Sequence, residues 1–324
     1  MNSFGSLFRL TTFGESHGTA VGGIVDGCPA GMKVDFAAVD ADLLRRRKGD
    51  TLSKETEKSS LLTQRSEPDV VEWLSGIHEG RTLGTSVAFL VRNRDCRPED
   101  YEALRDCFRP GHADYTYEQK YGIRDYRGGG RASGRETVAR VVAGSLAKQV
   151  LDRKGITVSA RVEGDWIACT ATGLPAGVGE PVFDRLNARL AYAMLSIPSA
   201  LSFAMGSNPD DWRRSSGQFP DAWVEQGSGE RLTVTNHCGG VQGGISNGMP
   251  VVFHVGFHLP PTQAEGMLCR NREGNLVHVV PGGRHDIDHR HRLPVIVESM
   301  AAITILDLIL QNKKNELADA VLKN

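Results

Sequence analysis

Between residues 293 and 310 the chain carries Val295, Ile296, Val297, Met300, Ala301, Ile303, Ile305, Leu306, Leu308 and Ile309, which occupy every side of a helix. A helix with no polar face has to be covered on several sides. An open parallel sheet with its helices outside would leave part of that surface in water, whereas helices enclosed between sheets would cover it. The stretch therefore predicts an α+β fold: a β-α-β sandwich with its helices enclosed between antiparallel sheets. As a membrane span it reads as too short and too polar, because Glu298, Ser299, Thr304 and Asp307 interrupt it.

Two halves of the chain carry the same marks in the same order. Gly27-Cys28-Pro29-Ala30-Gly31 stands before one helical stretch and Gly173-Leu174-Pro175-Ala176-Gly177 before another. Gly76, Gly80, Gly84, Val87, Phe89 and Val91 recur at identical spacing as Gly240, Gly244, Gly248, Val251, Phe253 and Val255. Pro110-Gly111-His112-Ala113-Asp114 leads to a helix around Val138, as Pro281-Gly282-Gly283-Arg284-His285-Asp286 leads to the one around Val295. The three matches predict an internal duplication within a single domain over 1–324. The repeats, about 1–155 and about 156–324, would be related by a pseudo-twofold axis with a site where they meet.

Local pattern supplies the elements. Residues 20–25 read as a strand, and Asp35 caps a helix that keeps Phe36, Val39, Leu43 and Leu44 on one face. Arg45, Arg46 and Arg47 close that helix, either as cations suited to its dipole or with one of them reaching a ligand. Residues 70–74, 87–91, 156–162, 232–235 and 251–257 read as strands. Pro181 suits the first turn of a helix carrying Phe183, Leu186, Leu190 and Met194, and residues 48–66 and 208–229 read as polar loops.

A net charge of -1 gives no global field for nucleic acid or an anionic membrane, so an anion site has to be built locally. Such an excess exists in residues 109–140, where six arginines, a lysine and a histidine face four carboxylates. Gly128, Gly129 and Gly130 form a loop, Ser133 and Glu136 have the spacing of a capping box, and Val138, Val141, Val142, Leu146 and Val150 line a helix that Gly155 can stop. Arg127, Arg131 and Arg135 flank that helix start, an arrangement suited to an anion. A solvated face or a flexible RGG-like segment is the alternative reading. Three histidines, His17, His112 and His285, stand in glycine-supported turns, two of them near an aspartate, and suit acid–base work near neutral pH.

Six cysteines (Cys28, Cys96, Cys107, Cys169, Cys238 and Cys269) contain no CxxC pair, which favours reduced thiols over a disulfide framework or thiolate zinc. With no apolar signal-peptide core at the N-terminus, a cytoplasmic location is expected.

GESHG, the block RPGHADYTYEQKYGIRDYRGGGRASGRET, GLPAGVGEPVFD, and GGISNG followed by GRHD together resemble the chorismate synthase family. The resemblance covers most of residues 1–50, 67–151, 173–200 and 234–310. It implies a 1,4-anti elimination of phosphate from 5-enolpyruvylshikimate 3-phosphate to give chorismate, with reduced FMN, NADPH as the candidate reductant, a homotetramer, and neither nucleic acid nor membrane as partner. By the same resemblance His17 protonates the departing phosphate and His112 the reduced flavin, while Asp286 with Ser16 assists proton removal. Arg46, Arg109, Arg131 and Arg135 would meet substrate anions. The flavin contacts would map onto Arg131, Ala132, Ser133, Pro198, Ser199, Gly243 and Arg284. They would also include His258-Leu259-Pro260-Pro261-Thr262, where the family has lysine-proline-threonine. The segment near Arg161 is shorter than the family's.

Two readings from other classes stand beside this one. The run from His285 through Asp286, Asp288, His289 and His291 is dense in hard and imidazole ligands and could serve a metal-dependent hydrolase, although Arg290 and Arg292 interleave it. The RGG-like block could bind RNA, against which stand the near-zero net charge and the apolar helix behind it.

Overall fold

The computed structural model describes residues 1–49, 67–95, 98–224, 232–261, 266–280 and 288–322. The elements of the first half are β1 (Ser3–Phe4), β2 (Arg9–Phe13), β3 (Ala20–Asp26), α1 (Phe36–Lys48), β4 (Val71–Trp73), β5 (Ile77–His78), β6 (Arg81–Thr82), β7 (Val87–Arg92), β8 (Cys107–Phe108), α2 (Asp114–Tyr121) and α3 (Thr137–Asp152). Then follow β9 (Thr157–Glu163), β10 (Trp166–Thr172), α4 (Leu186–Leu195), β11 (Ala200–Met205), β12 (Val241–Gln242), β13 (Ile245–Ser246), β14 (Val251–Phe257), β15 (Met267–Asn271), β16 (Leu276–Val279) and α5 (Leu293–Leu322). One antiparallel sheet has the order β1-β2-β3-β7-β4, a second β11-β14-β10-β9 and a third β16-β15-β8, with β5-β6 and β12-β13 as small hairpins.

The fold is thus mixed α/β with several antiparallel sheets. Strand alternation explains which faces go inward: Val87, Phe89 and Val91 on β7, and Val251, Phe253 and Val255 on β14, are all fully buried. α3 packs on β2 and β3, α5 packs on β9 and β10, and the two helices pack on each other. At that crossing a methyl on Gly144 would collide with Ser299, so glycine sets how closely the helices approach. By length and hydropathy α5 could cross a bilayer, which corrects its reading as too polar. Its most apolar window is 89% buried inside the protein, the property of a core helix.

Buried charges along these helices are satisfied in place. Glu298 on α5 accepts from Arg45 (2.7 Å), from Lys148 (3.4 Å) and from the main chain of Ala160 (2.9 Å). Asp307, fully buried, accepts from the backbones of Ser6, Leu7 and Phe8 and ties the N-terminal segment down. The described cysteines carry no disulfide.

One local device occurs twice. The Thr82 hydroxyl donates to the Pro29 carbonyl (2.6 Å) and accepts from the Met32 amide (3.0 Å). In the second half Ser246 does the same with Pro175 (2.6 Å) and Val178 (2.9 Å).

Three further sequence expectations are corrected. α4 starts at Leu186, not near Pro181, because residues 181–184 form a turn closed by Arg185 Nε on the Pro181 carbonyl (3.0 Å), and Phe183 is 91% exposed. Residues 232–235 make only an isolated bridge, Trp223 to Thr233, with Leu232 and Val234 exposed. The capping box is half formed. Ser133 accepts from the Arg135 amide (3.2 Å), but the Glu136 carboxylate turns to Thr12 (2.9 Å) and Arg140 (2.7 Å), because those donors lie against the helix start in the fold. The predicted loop at 48–66 lies almost wholly outside the described residues.

Candidate active site

His17 follows β2 in the turn Glu15-Ser16-His17-Gly18 and is buried, as is Ser16. Ser16 Oγ and His17 Nδ1 share a hydrogen bond of 3.1 Å, and the Tyr101 ring meets the imidazole edge-on at 4.7 Å between centroids. The glycine loop presses against this turn. Gly128 has φ +82°, and a methyl there would collide with His17 Nδ1 and come within 3.0 Å of Ser16 Oγ. A residue without a side chain is what lets backbone approach an imidazole so closely.

Two guanidinium groups fix that loop. Arg109 meets Asp114 in a fork-to-fork pair through Nε and Nη2 (2.8 and 2.9 Å), both residues buried, and the same Nη2 donates to the Gly128 carbonyl (3.1 Å). Burial alone would raise the Asp114 pKa, but the bonds and charge of Arg109 and the charge of Arg124 outweigh it and hold the carboxyl below its ordinary value. Arg131 turns back onto Thr12 and donates to the Gly14 carbonyl (3.2 Å). Glu15 faces it from the other side; burial raises the Glu15 pKa against the opposing pull of Arg131.

Two cavities are lined by residues of this turn and loop. One, of about 800 Å³, is lined by Glu15, Tyr117, Arg124, the glycines, Arg131 and Arg140. The other, of about 700 Å³, contains His17 with Asn93, Arg92, Arg94 and Arg127. Asp125, kept ionised below the usual carboxylate range by the Arg127 fork, stands within electrostatic reach of His17.

A second knot of arginines sits where the loop becomes α3. Arg46, at the end of α1, donates to Thr137 Oγ1 (2.9 Å), the Gly134 carbonyl (3.0 Å) and Asp69 (3.2 Å). Arg135 pairs with the same Asp69 and donates to Asn93 Oδ1 (2.8 Å). Asp69 is buried in a left-handed conformation (φ +50°) between the two forks. Arg46 therefore reaches beyond helix capping, while Arg45 serves Glu298 and Arg47 the Glu67 carbonyl.

The structure thus brings Ser16, His17, Arg46, Arg109, Arg131, Ala132, Ser133 and Arg135 around one loop. His112 lies in the turn between Arg109 and Asp114, and a methyl on the adjacent Gly111 would approach Pro261 to 2.8 Å. The His258 amide donates to the Ser199 carbonyl (3.1 Å), so residues 258–261 run from Pro198 and Ser199 towards the His112 turn. Gly243 stands apart at the tip of β12-β13. The Leu186 amide donates to the neighbouring Gly244 carbonyl (2.8 Å), so Gly243 is at one end of α4 while Pro198 and Ser199 follow the other, a helix of about 15 Å between them. Asp286, Arg284, His285 and Thr262 lie outside the described residues. Of the metal-like run, Asp288 is held by Arg290 (2.8 Å) and His289 Nε2 by Ser199 Oγ (2.9 Å), and no cluster of three or more His, Cys, Asp or Glu side chains placed to hold a metal ion occurs among the described residues.

Sequence reasoning missed Asp69, Asn93 and Tyr101. Each acts through contacts with residues distant in the chain, and their only local mark is the left-handed backbone of Asp69.

A mixed α/β scaffold that gathers arginines, a glycine loop and a buried imidazole around cavities of small-molecule size has the make-up of an enzyme for an anionic substrate. The chorismate synthase family model matches residues 8–164 and 163–310. The chorismate synthase of Christiangramia forsetii is 42% identical over 98% of this chain and 99% of its own length. That of Azobacteroides pseudotrichonymphae is 41% identical over 96% and 100%. A solved structure titled "Crystal Structure of Chorismate Synthase" shares the fold with a TM-score of 0.69 at 23% identity, over 95% of this chain and 93% of that one. The chain belongs to the chorismate synthase family. The two family matches meet at residues 163–164, at the tip of the β9-β10 hairpin.

Proposed function

We propose that this protein is a carbon–oxygen lyase of the shikimate pathway that converts 5-enolpyruvylshikimate 3-phosphate to chorismate by 1,4-anti elimination of phosphate. The observation that carries the reading is the buried His17, braced by Ser16 against Gly128 and sharing a cavity with Arg92, Arg94 and Arg127. With His17 as the imidazolium, Ser16 accepts from Nδ1–H, and the proton on Nε2 is the one passed to a departing phosphate, leaving a neutral ring. Arg46, Arg131 and Arg135 offset the charge that grows on that phosphate and hold the substrate carboxylates. Arg109, the fourth arginine proposed for the substrate anions, meets Asp114 as Arg135 meets Asp69, and clamps the Gly128 carbonyl as well. His112 is the second proton carrier, and Asp286 with Ser16 the pair that assists removal of the ring proton.

The residues present fit a phosphorylated flavin. Ser133 and basic side chains flank Gly134, where an added methyl would meet nothing within 4 Å, so an anion has donors and room. Arg131, Ala132, Ser133, Pro198, Ser199 and residues 258–261 would hold it, with Arg284 and Thr262 from the neighbouring segments. Reduced FMN, when bound, supplies electron density to the ring that loses phosphate. NADPH is the reductant in this reading. The protein is a cytoplasmic homotetramer, and its fold a β-α-β sandwich of two duplicated halves, for which the paired Thr82 and Ser246 devices speak.

Purified protein given reduced FMN and 5-enolpyruvylshikimate 3-phosphate should release inorganic phosphate and form chorismate in equal amounts. His17→Ala and His112→Ala should each lower the rate by about 10²-fold, the usual scale for losing a general acid. Parent-level turnover by either variant overturns the role given to that histidine, and the absence of chorismate from the parent overturns the whole reading.

A further inference from the structure

Asn93 follows β7 and lines the cavity that contains His17. Its amide Nδ2 donates to two carbonyls of the His17 turn, Glu15 O (3.1 Å) and Gly18 O (2.8 Å). Its Oδ1 accepts from Arg135 Nε (2.8 Å). Two acceptors on one side and a guanidinium donor on the other fix the orientation of the amide, because the flipped group would set NH₂ against NH. The carbonyls it bridges lie on either side of Ser16 and His17, so the amide closes the loop that presents the imidazole. One further bond, from the Gly18 amide to the Glu15 carbonyl (3.0 Å), spans the same turn within the main chain.

We propose that Asn93 is a positioning residue for the reaction: it holds the His17 turn in register with Arg135, and so sets the proton donor against the anion-binding arginine. The inference rests on the functional reading of His17 given above. Arg135 keeps Asp69 and the Arg92 carbonyl (3.3 Å) when Asn93 is removed, whereas the His17 turn loses both of the bonds that Nδ2 gives to its carbonyls. Loss of the amide therefore falls on proton delivery and not on substrate anchoring.

The test compares Asn93→Ala with Asn93→Asp in the full chain with reduced FMN, measuring kcat at saturating substrate, KM and the thermal midpoint. Aspartate can still accept from Arg135 but cannot donate to either carbonyl. Both variants should lose kcat by about 10- to 100-fold, the scale of a misplacement of about 1 Å at a reacting group. For Asn93→Ala, KM should stay within about threefold of the parent, since uniform substrate binding is retained. Recovery of parent kcat by Asn93→Asp would mean that Asn93 serves Arg135 alone, and overturns the proposal. So would a rise in KM for Asn93→Ala at unchanged kcat, or parent kcat in both variants. Should Asn93→Asp fail to fold, Asn93→Ser replaces it, its single short hydroxyl unable to serve both carbonyls, and the same kcat loss is required. If His17→Ala is inactive while both Asn93 variants turn over normally, the inference fails and the reading of His17 stands. If His17→Ala itself is fully active, it is that reading which fails.

Discussion

Replacing Gly128 with alanine tests the closest approach in the site. The residue sits at φ +82°, where a β-carbon alone costs about 1–2 kcal/mol. Gly122, at φ +73° after α2, bears the same backbone cost, and a methyl there meets nothing within 4 Å. At Gly128 the methyl also collides with His17 Nδ1 and crowds Ser16 Oγ, and forcing such an overlap into packed surroundings adds about 1–3 kcal/mol. Gly122→Ala should therefore cost about 1–2 kcal/mol and Gly128→Ala about 2–5 kcal/mol. At about 2 °C per kcal/mol for a chain of this size, the midpoints should fall by about 2–4 °C and about 4–10 °C. Activity separates the two more sharply. Displacing the imidazole should lower kcat by about 10²-fold in Gly128→Ala, while Gly122→Ala keeps parent kcat. Thermal melts and phosphate release at saturating substrate read both quantities. Equal midpoints together with parent kcat in Gly128→Ala would refute the packing of the loop on His17.

Asp114→Ala leaves the Arg109 guanidinium buried without its carboxylate and should destabilise the protein by about 3–5 kcal/mol, measured by denaturant unfolding. The acid limb of stability has a separate source in Asp221. Burial pushes its pKa up, but bonds from Thr235, Cys238 and His237 outweigh that and bring it to about 2 from 3.8. A depressed carboxylate contributes stability that is complete above 3.8 and lost as pH falls towards about 2. Asp221→Asn should flatten that part of a melting-temperature profile; an unchanged slope there would rule Asp221 out.

The elements were legible wherever period and punctuation agree. β3, β7, β9 and β14 fall where alternation puts them, Asp35 caps α1 through the Ala38 amide (3.0 Å), and the Gly155 amide donates to the Asp152 carbonyl (3.0 Å) just past α3. The start of α4 was misjudged because Pro181 is permissive of a first turn without requiring one.

The sequence by itself determined that α5 must be enclosed, that the arginines gather in one block and that glycines open the loop beside His17. Those properties belong to residue type and spacing, which local sterics and the hydrophobic effect read directly. Only the tertiary structure decided where each guanidinium fork points: Arg109 into Asp114, Arg46 and Arg135 onto a shared Asp69, and Asn93 between Arg135 and the His17 turn. A side chain's partner is whichever group the fold brings within about 3 Å, and for Arg46 that group, Thr137, is 91 residues away.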